Sequence, residues 1–214
     1  MSVLFDVPTI EIDPELYQVL LSLRIGDGSF GTQSVRYQRY SLHTSSIKKD
    51  YLDYKRSILE KNGIYVRDTK CTSGYGSKNT IYGFDTRVDA RISIVAKLSV
   101  EEVINNLDLL GLILYYLDDG SYHKGCDTIH LYCNRFSIDE CNYLIEKIYE
   151  LFPIKRCTIM TDRKKDGRKF PYLYMPKTTT NEFRKAVENF LVTNNITSMF
   201  YKANLPSQTI ESIE

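Results

Sequence analysis

The chain has 214 residues, of which 43% are hydrophobic, and a formal net charge of +1. This length supports one large domain or two small ones that share a core, and the composition excludes a disordered chain. The apolar run at 109–117 is far shorter than the roughly 20 residues of a membrane helix, so we expect no membrane partner. Residues 1–15 carry acids and no base, so we expect no signal or transit peptide.

The cysteines and the charge pattern bear on which kinds of site and partner the protein can have. Five cysteines without a Cys-x-x-Cys pair, and three histidines without ligand spacing, indicate neither a zinc site nor a disulfide framework. We therefore expect an intracellular, reducing compartment. Charge is uneven, because residues 1–15 are acidic whereas 155–169 are rich in Lys and Arg. A nucleic-acid partner remains open, since it requires only a basic face.

The first predicted helix covers about residues 14–26. Asp13 is a natural N-cap and Pro14 occupies the first helical position. The helix runs into Asp27-Gly28, which a serine and an aromatic residue follow. Taken alone, an apolar helix that ends in Asp-Gly is most simply a C-cap and a turn.

The rest of the first half alternates strands and helices. A basic, tyrosine-containing strand at 35–47 leads into an amphipathic helix that ends near Gly63. Two strand-like segments follow at 64–71 and 79–85, around a polar connection that contains glycine. A closing helix is predicted near 87–96.

The same order returns later in the chain. A second apolar helix ends in Asp118-Asp119-Gly120, again before a serine and an aromatic residue. A strand at 126–138 then leads into a long helix, which the capping box of Ser137 and Glu140 opens.

Two further strands and a helix complete the second half. The strands, at 154–162 and 169–176, flank a basic hairpin whose Asp166-Gly167 is a strong turn signal. The closing helix is predicted near 180–193. The order α-β-β-α-β-β-α thus occurs twice, which divides the chain into a first half at 1–96, a linker at 97–106 and a second half at 107–214.

The duplicated aspartates indicate a metal site. A carboxylate at a helix C-terminus lies at the negative end of the helix dipole, and a second carboxylate beside it raises the cost further. A divalent cation removes both penalties, and oxygen ligands of this kind suit Mg²⁺. Small residues at Ser22 and Gly26 would let a neighbouring helix approach the first motif helix closely.

The segments 20–28 and 112–120 resemble the paired motifs of the LAGLIDADG homing endonucleases, in the branch that carries both motifs on one chain. They read LLSLRIGDG and LILYYLDDG. The resemblance extends over about 14–203, because the order of elements after each motif also matches. It implies an α+β fold of two pseudo-symmetric halves, with the motif helices packed at the centre and antiparallel sheets that form a DNA-binding saddle.

The resemblance implies that Asp27 and Asp119, the acids before the final glycines, are catalytic and bind Mg²⁺. Mn²⁺ or Ca²⁺ would fit the same site. Gly26 and Asp118 precede these two acids and are assigned to the same metal site. Asp118 faces the other way on its helix, however, which favours a structural role.

The resemblance also implies one basic residue per half near the scissile phosphates and one polar strand residue that orders water. Lys97 and Lys202 match the basic positions, with solvated surface lysines as the alternative. His43 matches the water-ordering position, with an exposed strand residue as the alternative. The corresponding position of the second half falls at Tyr132, which is not a small polar residue.

Strands in a major groove read base edges and hold phosphates with polar and basic side chains. A solvated surface charge is the alternative for each candidate. The candidates are Arg36, Gln38, Arg39, Arg67, Lys70, Lys78 and Asn79 in the first half, and Lys124, His130, Tyr132, Arg156, Thr158, Arg163, Lys164, Lys165, Arg168 and Lys169 in the second.

The first hypothesis is therefore a monomeric, Mg²⁺-dependent endonuclease that cuts both strands of a long, asymmetric DNA site and promotes copying of its own gene. The alternatives are a maturase that binds intron RNA and a DNA-binding regulator without catalysis. Loss of a motif acid would favour either alternative, and both acids are present.

Overall fold

The computed structural model describes residues 10–34, 38–71, 80–163, 167 and 169–206. The first half has the predicted order of elements. They are α1 (Pro14–Ile25), β1 (Ser29–Ser34), β2 (Arg39–Ser46), α2 (Lys49–Lys61), β3 (Val66–Cys71), β4 (Ile81–Thr86) and α3 (Ala90–Ala96).

The second half repeats this order after one additional helix, α4 (Val100–Asn105). Within the described ranges no helix is long and apolar enough to cross a membrane. The elements are α5 (Leu109–Asp119), β5 (Gly120–His123), β6 (Thr128–Tyr132), α6 (Ile138–Leu151), β7 (Thr158–Arg163), β8 (Lys169–Met175), α7 (Lys177–Thr193) and a 3₁₀ helix (Thr197–Ala203).

The ends of the helices follow the predicted capping signals. The Asp13 carboxylate accepts a hydrogen bond from the backbone N–H of Leu16 at 3.0 Å. The reciprocal capping box of Ser137 and Glu140 is present. Gly63 follows α2 with φ +71°, a left-handed conformation that favours glycine.

The predicted linker contains α4. A second reciprocal capping box, between Ser99 and Glu102, opens this helix. The sequence Ser-x-x-Glu carries the signal for it. Residues 97–106 are therefore a structured connection between the halves.

Two antiparallel four-stranded sheets confirm the predicted α+β fold. Their strand orders, β1-β2-β4-β3 and β5-β6-β8-β7, are the same within each half. Ser29 pairs with His43, and Ser121 pairs with His130. Because both serines directly follow a motif glycine, this register makes His43 and His130 equivalent positions.

Each sheet buries one face under helices and leaves the other open. Leu42 and Thr44 of β2 are buried, as are Ile129 and Leu131 of β6. The residues between them alternate to the opposite face, as the pleat of a strand requires. The open faces are therefore the surfaces available to a partner.

α1 and α5 pack side by side at the centre of the molecule. The Gln18 side chain on α1 donates to the carbonyl of Asn106 and accepts from the N–H of Asp108, both at 3.0 Å. A Cβ atom added to Gly111 would lie 2.3 Å from the Gln18 Oε1 atom. The absence of a side chain at Gly111 therefore permits this crossing.

Gly26 permits an equally close approach at the other end of the helix pair. A Cβ atom added there would lie 2.7 Å from the Oδ2 atom of Asp118. Ser22 is fully buried, and its hydroxyl donates to the Val19 carbonyl at 2.9 Å. The expectation that small residues permit close helix contact is confirmed at Gly26, where the Asp118 carboxylate takes up the space.

We expect Gly26→Ala to lower the free energy of unfolding by about 1–3 kcal/mol, because the new methyl group overpacks the buried helix contact. Urea denaturation measures this change. Gly125→Ala is the matched control, since no heavy atom lies within 4 Å of a Cβ added at Gly125. Equal effects of the two substitutions would contradict the close contact.

Candidate active site and nucleic-acid interface

The structure brings the two motif acids together. Asp27 directly follows the C-cap residue of α1, and Asp119 is the last residue of α5. Both line one small cavity, together with Asn134 and Arg135 from the turn after β6. The side-by-side packing of α1 and α5 thus places one carboxylate from each half at a shared centre.

This centre is electrostatically unfavourable for two free carboxylates. Burial, and then the charges of Asp27 and Asp118, raise the pKa of Asp119 to about 7. Burial and the charge of Asp118 also raise the pKa of Asp27. A cation bound between them would favour their ionised forms.

Three basic side chains partly offset these shifts. Lys55, Lys202 and Arg135 all lower the pKa of Asp27, and Arg135 and Lys202 lower that of Asp119. Of these three residues, only Lys202 was predicted from the sequence. Arg135 was missed because it lies in a turn, where a base carries no periodic signal.

Lys202 reaches the centre from the 3₁₀ helix and is 7% exposed. Its ammonium group donates to the carbonyl of Gly120 and lies 3.5 Å from that of Tyr116, so it binds the C-terminal end of α5. The Tyr116 hydroxyl donates back to the Lys202 carbonyl at 2.7 Å. Burial lowers the pKa of Lys202 despite the nearby Asp118, Asp119 and Asp27.

Asp118 forms a buried ion pair. The Lys55 ammonium lies 2.7 Å from its Oδ1 atom and 2.9 Å from its Oδ2 atom, and the Tyr51 hydroxyl donates to Oδ1 at 2.9 Å. The two charged side chains are 3% and 1% exposed. With both oxygens bound to Lys55, Asp118 has the structural role that its helix face indicated, and its carboxylate is engaged by the ammonium group instead of a metal.

Lys55 was missed, although the sequence carries a signal for it. The buried residues of α2 are Tyr51, Leu52, Lys55, Ile58 and Leu59, which form one helical stripe. A lysine on an apolar stripe is rarely buried unless it is paired. The position of Lys55 therefore indicates a buried acidic partner, but the helical spacing does not identify that acid.

The donor set of the site decides whether it suits the divalent cation that the sequence predicts. Within the described ranges, no group of three or more His, Cys, Asp or Glu side chains could hold a metal ion. Asp27 and Asp119 form a two-carboxylate set. Such a set fits Mg²⁺, which keeps several waters and takes one or two carboxylates together with substrate phosphates.

His43 lies on the open face of the first sheet, in a row with Asp85 and Arg67. Its Nδ1 atom lies 2.6 Å from the Asp85 Oδ1 atom, and Arg67 Nη2 lies 3.4 Å from Asp85 Oδ2. The predicted second-half equivalent, Tyr132, is wrong, because the register equates His43 with His130.

Lys97 does not line the cavity of the two acids. It is the C-cap residue of α3 and lines a surface cavity with Gln38, Arg39 and Ile94. The structure therefore does not bring Lys97 and Lys202 to symmetric positions. The spacing from α3 misled the prediction, because the chain enters α4 soon after Lys97, whereas after α7 it forms the 3₁₀ helix.

The structure distributes the predicted DNA contacts unevenly. Arg156 pairs with Glu146 and stacks over Tyr149, with the ring centroid 4.5 Å away, so its side chain faces α6. Gln38, Lys124 and Lys169 are exposed in or beside turns. The residues on the open sheet faces are Arg39, Arg67, His130, Tyr132 and Thr158.

The remaining candidates are untested. Six of them lie outside the described residues: Arg36, Lys78, Asn79, Lys164, Lys165 and Arg168. For Lys70 and Arg163 the backbone is described but the side chain is not.

We expect Lys55→Met to lower the free energy of unfolding by about 3–5 kcal/mol, because it leaves Asp118 buried without its cation. Urea denaturation of Lys55→Met, and of the same variant with Asp118→Asn, measures this effect. The second substitution should restore most of the loss.

The matched control is Lys61→Met, which breaks an exposed contact to Glu15 at 3.4 Å. That change should cost less than about 1 kcal/mol. If Lys55→Met cost no more than Lys61→Met, the buried pair would have no structural role.

Comparison with known proteins assigns the chain to a family. The profile of the LAGLIDADG DNA endonuclease family matches residues 17–183. No curated protein sequence matches the chain significantly.

Solved structures share the fold at low sequence identity. The homing endonuclease I-WcaI bound to its DNA recognition sequence is 15% identical, with a TM-score of 0.66 over 92% of this chain and 89% of that one. I-DmoI in complex with DNA and Mn is 12% identical, with a TM-score of 0.56 over 81% and 96%.

A third structure, the N-terminal LAGLIDADG domain of DUF199/WhiA, is 12% identical, with a TM-score of 0.54 over 85% and 84%. These likenesses concern the fold. With the profile match over most of its length, this chain belongs to the LAGLIDADG DNA endonuclease family.

Proposed function

We propose that the protein is a site-specific endonuclease that hydrolyses both strands of a long, asymmetric DNA duplex, as a monomer and with Mg²⁺. The observation that carries this proposal is the pair Asp27 and Asp119, one from each half, in a single cavity. In this proposal the enzyme works in a reducing, intracellular compartment and promotes copying of its own gene.

Asp27 and Asp119 would hold the metal through their carboxylate oxygens. When bound, Mg²⁺ supplies Lewis acidity and lowers the pKa of a coordinated water. The two acids stand at equivalent positions of the pseudo-symmetric halves, and in this proposal each would serve one strand. Mn²⁺ or Ca²⁺ would fit the same oxygens, and I-DmoI structures are described as complexes with Mn, Ca or Mg.

Basic side chains on both sides of the acids would stabilise the charge of the scissile phosphates. Lys48 and Arg135 stand the same number of residues after the equivalent His43 and His130. Lys48 lines a cavity with Asp27 and Lys202, and Arg135 lines the cavity of the two acids. This pair replaces Lys97 in the proposed machinery, beside Lys202.

His43 would order a water or a DNA group from its position beside Asp85. The acid fixes the imidazole through Nδ1, which leaves Nε2 as the atom available to a ligand. His130 is the corresponding group of the second half.

A maturase and a non-catalytic regulator remain the rival functions. A LAGLIDADG domain also occurs in DUF199/WhiA, whose name denotes no nuclease. The intact pair of acids at one centre favours the endonuclease, because neither rival requires two carboxylates with raised pKa values in one cavity.

Cleavage of DNA that spans the gene's own insertion site, rejoined without the insert, tests the proposal. We expect Asp27→Asn and Asp119→Asn each to lower the rate with Mg²⁺ about 100-fold or more, because each removes a ligand that organises transition-state charge. Binding of the duplex should be retained.

Asp53→Asn is the control, since this acid pairs with Lys49 on an exposed face of α2. It should cut like the wild type. Tight duplex binding by the wild type without cutting in Mg²⁺ or Mn²⁺ would instead indicate the regulator. Preferred binding of the intron RNA would indicate the maturase.

A further inference from the structure

The open faces of the two sheets differ in chemistry. The open face of the second sheet carries a cluster of half-buried rings and one exposed thioether, which we call the aromatic face. Its members are His123, His130, Tyr132, Met160, Tyr172 and Tyr174.

The rings of the aromatic face pack against one another across strands. The ring centroid of His130 lies 3.9 Å from that of His123, 4.5 Å from that of Tyr172 and 5.9 Å from that of Tyr174. Tyr132 lies 6.1 Å from Tyr172. The planes of His130 and Tyr172 are inclined by only 30°. His130 and Tyr172 therefore cover one face of each other, and the tilted contacts join the remaining rings into one close-packed cluster.

A close-packed ring cluster suits a duplex groove better than splayed single-stranded bases. Proteins that bind single strands stack bases on free aromatic faces, and His130 and Tyr172 use one face each to stack on each other. Apolar groups in a major groove contact the 5-methyl group of thymine. The exposed Met160 side chain, 45% accessible beside Tyr172, adds to such a surface.

The open face of the first sheet carries charged side chains at positions whose equivalents on the aromatic face are uncharged. The row of His43, Asp85 and Arg67 occupies the positions that His130, Tyr174 and Thr158 occupy in the second sheet. Arg reads the O6 and N7 atoms of guanine, and a carboxylate accepts from the N4 amino group of cytosine. No described residue of the aromatic face carries a guanidinium or a carboxylate group, and Asp162 lies beyond it, at the outer end of β7.

We propose that the aromatic face determines specificity by contacting thymine methyl groups, so that the second half of the chain selects a thymine-rich half-site. The first sheet, through Arg67 and Asp85, selects a half-site that contains G·C pairs. This inference rests on the proposed function and names the composition of its substrate.

Each thymine methyl group that the aromatic face contacts should contribute a measurable part of the binding free energy. Burying one methyl contributes about 0.8 kcal/mol, so removing it should weaken binding about fourfold. Replacing deoxythymidine by deoxyuridine removes that methyl and leaves the base pairing unchanged. The change is made in the DNA, so it does not depend on the folding of a protein variant.

The experiment begins with selection of bound duplexes from a randomised library by the intact protein. An iron chelate that cleaves nearby DNA, attached to the exposed Cys126 in the β5–β6 turn, identifies the second half-site. A Cys71→Ser background excludes attachment at the cysteine whose side chain lies outside the described part of the chain. Deoxyuridine then replaces deoxythymidine in one half-site at a time, and the dissociation constant is measured.

We expect a penalty of about fourfold per contacted thymine in the second half-site and none in the first. Tyr172→Ala should abolish this penalty, whereas Arg67→Ala should leave it intact and relax selection of guanine in the first half-site. Deoxyuridine penalties that are absent, equal in both half-sites or confined to the first would overturn the proposal. Tighter binding of single-stranded DNA or RNA, lost in Tyr172→Ala, would overturn it in favour of base stacking.

The failure of the proposed function gives a different result. Selection would then enrich no duplex, or the selected duplex would not be cut in Mg²⁺ by the wild type. A duplex that is selected and cut, but insensitive to deoxyuridine, would refute the thymine inference alone.

Discussion

The contact between Gly26 of α1 and Asp118 of α5 is the constraint on which the candidate site depends. The Asp118 carboxylate takes up the space that a side chain at position 26 would need. Such a carboxylate, taken out of water, is tolerated only with a partner, which Lys55 provides from α2. The ion pair joins the first half to the second. Asp27, which follows Gly26, and Asp119, which follows Asp118, come to one centre as a result.

The halves share a topology, but this contact is not symmetric. Counted from the motif glycines, Asp118 of the second half corresponds to Gly26 of the first. Counted from the N-caps of α2 and α6, Lys55 corresponds to the buried Leu144. A second acid at position 26 would meet Asp118 without a lysine to neutralise it. The asymmetry leaves Asp27 and Asp119 as the two acids of the shared cavity, with Asp118 neutralised beside them.

The local features were predictable because their causes are local. The helix starts at Asp13 and Ser137, the end at Gly63 and the duplicated order of strands follow from capping, turn chemistry and periodicity. The helix α4 was also readable, since Ser99 and Glu102 form a capping box in a segment interpreted as a linker. The two motif acids were found because they are duplicated.

The features that could not be predicted from the sequence depend on contacts between residues that are distant along the chain. The ion pair of Lys55 and Asp118 joins residues 63 positions apart, so no local pattern specifies it. The direction of Arg156 toward α6 depends on Glu146, and the equivalence of His43 with His130 depends on strand register. Lys97 was matched to the basic position because it directly follows α3. Its place after a helix does not fix the path of the chain that follows.

The binding of Mn²⁺ tests the central claim most directly, namely that Asp27 and Asp119 form one cation site. Electron paramagnetic resonance of free Mn²⁺ would be followed for the wild type and for each Asp→Asn variant at pH 6 and pH 8. Because metal ligands must be deprotonated and the pKa of Asp119 is about 7, the wild type should bind more tightly at pH 8. Each single variant should lose most of this binding. Binding that is unchanged in either variant, or equal at the two pH values, would contradict the account.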